Sequence, residues 1–405
     1  MEFEGHQLAN GIRIIHKHVP SLIAHTGIII NTGSRDEKEN EHGLAHFIEH
    51  VFFKGTTKRR AHHVLARMED VGGEINAYTT KEETCVYTSF MTNHYNRALE
   101  LLSDIVFNSV FPEKELQREK EIVLDEINSY KDSPSDLIFD DFEEVVFKNN
   151  SLGRNILGTR KQLNRFSKEH IRFFLQNNYH TDQIVVASVG NIKFERLIKL
   201  AERYFGIIPK NTRKHSLREE PVYMPAHLEV KKKTHQAHCI LGNIAYNLTN
   251  ENRLGLYLLN NLLGGPGLSS RLNISLREKN GFSYNPESSY TPYSDTGLFS
   301  VYFGTDRINL QKSLTLVKKE FKKLRETPLS KIQLQKAKRQ LLGQIAIGAE
   351  NHENLMLNMG KSYLIYNKVD SFEEVKRKID AIDAIQIRSI ANNILNEEKL
   401  SYLIY

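Results

Sequence analysis

The feature that most restricts how this chain can fold is that it repeats itself at a long period. The strand-like HTGIIINTGS, His25 to Ser34, resembles AHCILGNIAY, Ala237 to Tyr246. Each is followed by a short polar loop and then a helical apolar run, GLAHFIEHVFFKG in the first half and RLGLYLLNNLLGG in the second. Further on, GGEINAYTTKEETCVYTSF corresponds to NGFSYNPESSYTPYSDTGLFSVYFG, and DQIVVASVGNI to EKLSYLIY. The offset stays between roughly 210 and 218 residues, far longer than a solenoid period, which is the pattern of a duplicated domain. Helical runs mixed with β-type alternation in each half predict an α+β fold, two duplicated domains each with a mostly antiparallel sheet packed against helices. The boundaries expected are 1–208 and 222–405, joined by a linker at 209–221 within the proline-containing, mixed-charge IIPKNTRKHSLREEPVY.

With 405 residues, each half is long enough to bury its own core. A composition 40% hydrophobic and 26% charged excludes a disordered chain. No apolar run approaches the roughly 18 residues that cross a bilayer. The start, MEFEGHQLANGIRIIHKH, has neither the basic beginning nor the apolar centre of a secretory signal. A cytoplasmic protein with no membrane association is expected. The net charge of +6 is spread out, and the short runs Lys231–Lys233 and Lys336–Arg339 carry no interleaved aromatics. They read as solvated helix faces, so no nucleic acid is expected, while a mildly positive wall attractive to acidic peptides stays open. Cys85 and Cys239 lie in apolar strand-like runs and are expected as buried thiols.

In GLAHFIEH, Gly43 to His50, Leu44, Phe47, Ile48, Val51 and Phe52 cover one broad side of a helix, and His46, Glu49 and His50 share the other. Imidazoles one turn apart can reach one zinc ion, and a carboxylate just before the second sits beside that ion, where it can take a proton from water. The order is H-x-x-E-H. The alternative is a solvated polar stripe on an amphipathic helix. His42, one turn earlier, is the poorer ligand candidate because it precedes Gly43 at the helix start.

A catalytic zinc site needs a third protein ligand. In PEKELQREKEIVLDEINSY, Leu116, Val123, Ile127 and Tyr130 form an apolar stripe, with Ile122 at its margin, and Glu119 and Glu126 fall inside it. Glu113, Lys114, Lys120 and Glu121 are expected outside. Carboxylates are seldom buried without a cationic partner, so Glu119 and Glu126 should face either a buried Arg or Lys or a metal held by His46 and His50. The duplication gives an internal control. Leu256, Leu259 and Asn260 stand where His46, Glu49 and His50 do, and Ala337 and Gln344 stand opposite Glu119 and Glu126. The second copy keeps the helices and lacks the polar set, so the set was added to one copy and is not a need of the scaffold.

With HFIEH and REKEIVLDEI, the chain resembles the pitrilysin/insulinase family of zinc metallopeptidases (inverzincins), most closely the short-chain branch with the catalytic subunit of the mitochondrial processing peptidase. The resemblance covers nearly the whole chain. The interval of 76 residues from His50 to Glu126, with Glu119 seven positions earlier, fits that family. The resemblance implies one zinc ion per chain held by His46, His50 and Glu126, with Glu49 as general base and Glu119 supporting the site from behind. GGEINAYTT resembles the family's substrate strand, which implies peptide contacts at Asn76 and Ala77 by added-strand pairing. LREKNGFSYN resembles its R-x₆-Y element, which implies that Arg277 and Tyr284 bind the peptide and stabilise developing oxyanion charge. LGGPGLSSRL resembles its glycine-rich loop; no Gly-Lys-Ser/Thr follows, so it is not a phosphate loop. The activity implied is zinc-dependent endopeptidase action on peptides or unfolded and short proteins inside a dimeric chamber, a homodimer or a heterodimer with a related chain. The alternative within the family is a catalytically silent partner subunit.

Overall fold

The computed structural model describes residues 3–214 and 218–405; residues 215–217, inside the expected linker, lie outside the described residues. The chain divides into two compact units. The first comprises Met1–Ile127, Ile156–Arg218 and Ile347–Ser371, and the second Asn128–Asn155, Glu219–Ala346 and Phe372–Tyr405. The boundaries expected at 208 and 222 therefore need correction, because each unit takes in a stretch from the other half of the sequence. The reason is that each sheet has two apolar faces to cover.

In the first unit, β1 (Glu4–Gln7), β2 (Arg13–His18), β3 (Ile23–Ile30), β4 (Glu74–Thr79), β5 (Thr84–Met91) and β6 (Ile184–Gly190) form one sheet in the order β1-β2-β6-β3-β5-β4. Only β2 and β6 run parallel; the other pairs are antiparallel. Alternate residues of a strand point to opposite faces. Ile28 and Ile30 accordingly join Leu44, Phe47, Leu99 and Leu102 in one core, while Ile29 joins Val185, Met356 and Met359 in another. The helix Tyr95–Asn108 lies on the first face. The helix His352–Tyr366 lies on the second, with Met356, Met359, Gly360 and Leu364 as its buried stripe.

In the second unit, β7 (His227–Glu229), β8 (Ala237–Ala245), β9 (Glu287–Pro292), β10 (Gly297–Thr305) and β11 (Ser401–Ile404) form a sheet ordered β7-β11-β8-β10-β9. Again one pair, here β7 with β11 at the edge, is parallel and the rest are antiparallel. Set beside β2-β6-β3-β5-β4, neighbours and directions match strand for strand, so the duplication read from sequence is a duplication of fold. Here Ile138, Phe142 and Val146 of the helix Pro134–Val146 pack on Ile240, Tyr302 and Leu403. Cys239 and Leu241 face the opposite core. Cys85 and Cys239 are buried free thiols, as expected.

The histidine helix, Leu44–Phe52, begins at Gly43, whose φ of 94° is left-handed. Gly158, at φ 74°, packs directly on it: a Cβ built on Gly158 would stand 2.5 Å from both the Gly43 Cα and the His42 carbonyl oxygen. Glu37 completes the helix start, accepting the N–H groups of Gly43 (2.9 Å) and Ala45 (2.7 Å). These are N–H groups that no helical carbonyl can reach. Gly158→Ala combines a left-handed side chain with backbone overpacking, and should cost about 2 kcal/mol or more. The measurement is denaturant unfolding, and an unmoved midpoint would show that the glycine contact tolerates a methyl group.

Candidate metal centre

The wheel expected for the histidine helix is observed. Leu44, Phe47, Ile48, Val51 and Phe52 are fully buried in the first unit's core. On the other side the rings of His46 and His50 lie 4.7 Å apart, nearly edge to face. The helix Glu113–Lys131 runs past them with Leu116, Glu119, Val123 and Ile127 buried. Glu126 sits at the rim with 43% of its side chain exposed, and Glu119 lies behind it with 5% exposed. Glu126 Oε2 lies 3.8 Å from His46 Nε2 and 3.4 Å from His50 Nε2. One ligand atom from each of the three residues falls within 4.8 Å of the others. Two imidazole nitrogens and a carboxylate oxygen converging from two rigid helices form the donor set of a zinc site that keeps a position open, and the residues present fit such an ion.

Glu119 is placed differently from Glu126. Its Oε2 lies 3.3 Å from His50 Nδ1, and its Oε1 lies 2.6 Å from the ammonium of Lys54. It therefore backs an imidazole rather than joining the converging set, an arrangement that fixes ring orientation in metal sites. Of the partners expected from sequence, Glu119 has a lysine, and Glu126 faces the imidazole pair that would hold the metal. Lys120 is a correction. Expected outside, it is buried, because its Nζ reaches the carbonyl of Asn164 at 3.2 Å, and burial lowers its pKa.

Without an ion between them, the two histidines titrate in opposite directions. Burial, aided by neighbouring His50, pulls His46 down to about 4. Burial would also lower His50, but hydrogen bonds to Glu119 and Glu126 outweigh it and push His50 up to about 9. Hydrogen bonding to His50 holds Glu126 below the ordinary carboxylate range. Burial raises Glu49, and neighbouring Thr79 pulls partly the other way. Metal ligation needs a neutral imidazole, so a proton on His50 competes with the ion at any pH below about 9. Zinc affinity should therefore rise about tenfold per pH unit from pH 6 to 8. Chelator competition across that range checks it, and a flat profile would contradict the charged His50.

Thr79 ends β4, an outermost strand of the sheet, whose strand partner among the described residues is β5. Asn76 and Ala77 lie on that same strand. Asn76 is exposed, and its Oδ1 accepts the Ala77 N–H at 2.9 Å. Arg277 and Tyr284 belong to the second unit, where the guanidinium lies 4.9 Å from the centre of the tyrosine ring. Arg277 sits near the end of a π-helix, Asn273–Glu278, and Tyr284 is 76% exposed. Both line a cavity of about 630 Å³ together with Gly264, Gly265, Asn273 and Glu287. Sequence reasoning missed Lys54 and Thr79. Lys54 continues the spacing of His46 and His50 by one more turn, which was a usable signal; Thr79 had none.

Residues 13–160 match the family described as insulinase (peptidase family M16), and residues 165–341 match the peptidase M16 inactive domain. The chain belongs to the insulinase family. Relatives in this family include the uncharacterized zinc protease YmxG of Bacillus subtilis, 33% identical over 96% of this chain and 95% of that protein. An uncharacterized zinc protease of Rickettsia bellii is 32% identical over 99% of this chain and 97% of its own length. A protease from Helicobacter pylori has the same fold, with a TM-score of 0.91 at 19% identity over 99% of this chain and 98% of that one. So does a peptidase M16 inactive domain from Pseudomonas fluorescens, with a TM-score of 0.92 at 19% identity over 100% and 97% of the two chains. The pitrilysin/insulinase membership and the duplicated α+β fold expected from the sequence are thereby established.

Proposed function

We propose that this chain is a zinc-dependent endopeptidase acting on peptides and on unfolded or short proteins. One observation carries the reading: His46, His50 and Glu126 converge within 4.8 Å, with Glu49 on the same helix face. That relatives across nearly the full length are called zinc proteases supports it.

His46, His50 and Glu126 would hold the ion, one per chain. When bound, zinc lowers the pKa of a coordinated water and polarises the carbonyl to be attacked. Glu49 takes the proton of the attacking water on its carboxylate and returns it to the departing amine. Burial raises the pKa of that carboxylate, which suits a group that must both take and give a proton. Because Thr79 terminates the open-edged β4, a peptide paired along Asn76 and Ala77 leads toward the base. Such pairing exchanges the local Asn76–Ala77 bond for backbone hydrogen bonds, so side-chain selectivity at those two positions is weak. Arg277 and Tyr284 contribute further peptide contact and oxyanion stabilisation.

The chain acts as a homodimer, or with a related chain, to enclose its substrate, and it works in the cytoplasm. Among the described residues no helix is long and apolar enough to cross a membrane. A silent partner subunit is disfavoured by the complete ligand set. The decisive test combines metal analysis with quenched peptide substrates. Cleavage should vanish with a chelator and return with added zinc. Cleavage unaffected by chelation would end the metallopeptidase reading.

A further inference from the structure

We infer that Lys54 is a positioning residue of the metal centre: it fixes Glu119 behind His50 and so leaves Glu126 as the glutamate that faces the ion. This rests on the zinc reading above.

Glu119 and Glu126 come from the same helix, two turns apart, and both approach His50. Chemically they are equivalent, so something must assign them different tasks. Lys54 does this by geometry. It follows His50 by four residues and lies just past the end of the histidine helix, where its backbone N–H still bonds the Val51 carbonyl at 3.2 Å. The next residue, Gly55, has a φ of 127°, left-handed backbone that turns the chain away at that point. The ammonium meets Glu119 Oε1 at 2.6 Å, while Oε2 faces His50 Nδ1 at 3.3 Å. Each carboxylate oxygen then has one partner, and Glu119 is anchored on the far side of the ring from Glu126.

The electrostatics point the same way. Glu119 is almost fully buried, and a carboxylate so desolvated needs charge-assisted partners. With Lys54 removed, its strongest attraction would be to the divalent ion itself, across the same imidazole. Lys54 also balances the formal charge: one ammonium and one divalent ion match the three carboxylates of Glu49, Glu119 and Glu126. Among the described residues no other ammonium or guanidinium lies within 4 Å of Glu119. The second copy lacks the arrangement, since Ala337 stands where Glu119 does.

The test measures zinc affinity by chelator competition, the visible spectrum of the cobalt-loaded protein, and the unfolding midpoint of the ion-free protein. The variants are Lys54→Met, Lys54→Arg and His46→Ala. Lys54→Met should weaken zinc binding by about 10- to 100-fold and change the cobalt spectrum, while the ion-free midpoint falls because Glu119 loses its ammonium partner. Lys54→Arg should restore most of both. Wild-type zinc affinity and an unchanged cobalt spectrum in Lys54→Met would overturn the inference. Should Lys54→Met fail to fold, Lys54→Gln replaces it, and the same two outcomes decide. His46→Ala separates the levels. Loss of zinc there with no effect at Lys54 removes only the Lys54 assignment, whereas wild-type zinc binding in His46→Ala removes the metal centre itself.

Discussion

Glu49→Gln is expected to bind zinc like the wild type and to lower kcat by about 10²- to 10⁴-fold. Glutamine keeps the size and the contact with Thr79 but cannot take a proton from water. Glu49 lies outside the three residues whose ligand atoms converge, so its charge should be dispensable for holding the ion. The change therefore separates binding from turnover. Zinc content by elemental analysis and steady-state cleavage of a quenched peptide are the two measurements. Wild-type turnover would remove Glu49 from the reaction, and loss of zinc would make it a ligand.

The second large effect is expected at Glu126. Glu126→Ala removes the carboxylate that, alone among the described residues, lies within 4 Å of both Nε2 atoms. Zinc affinity should fall by more than about a hundredfold, beyond what loss of a supporting residue costs. The half-exposed side chain is not required by the core, so the ion-free protein should still fold, with a midpoint lowered by loss of the contact with charged His50. An affinity drop no larger than that of Glu119→Ala would reverse the roles of the two glutamates.

Most of the metal centre was legible in the sequence because helical periodicity is local. The spacing of His46, Glu49 and His50 sets one face by geometry alone, and Glu119 and Glu126 stand out because charges do not belong in an apolar stripe. Burial of Lys120 was not legible, since it depends on the carbonyl of Asn164, 44 positions away. The contact of Thr79 with Glu49 likewise depends on how an outer strand lies against a helix. The same limit applies to the fold. Each strand and helix announces itself through its own pattern, and the duplication announces itself through repetition. That residues 347–371 complete the first unit and residues 128–155 the second is written in no local pattern. It appears only when one asks what covers the second face of each sheet.

That reciprocal loan of helices has a consequence for biosynthesis. A ribosome that has released residues 1–218 has delivered the histidines, the glutamates and every strand of the first sheet. Yet Ile15, Ile29, Val185 and Ala187 still await Met356 and Met359. Contacts so distant along the chain close late and slowly. A nascent or truncated chain thus carries an exposed greasy face and should depend on chaperones until the helix His352–Tyr366 has emerged.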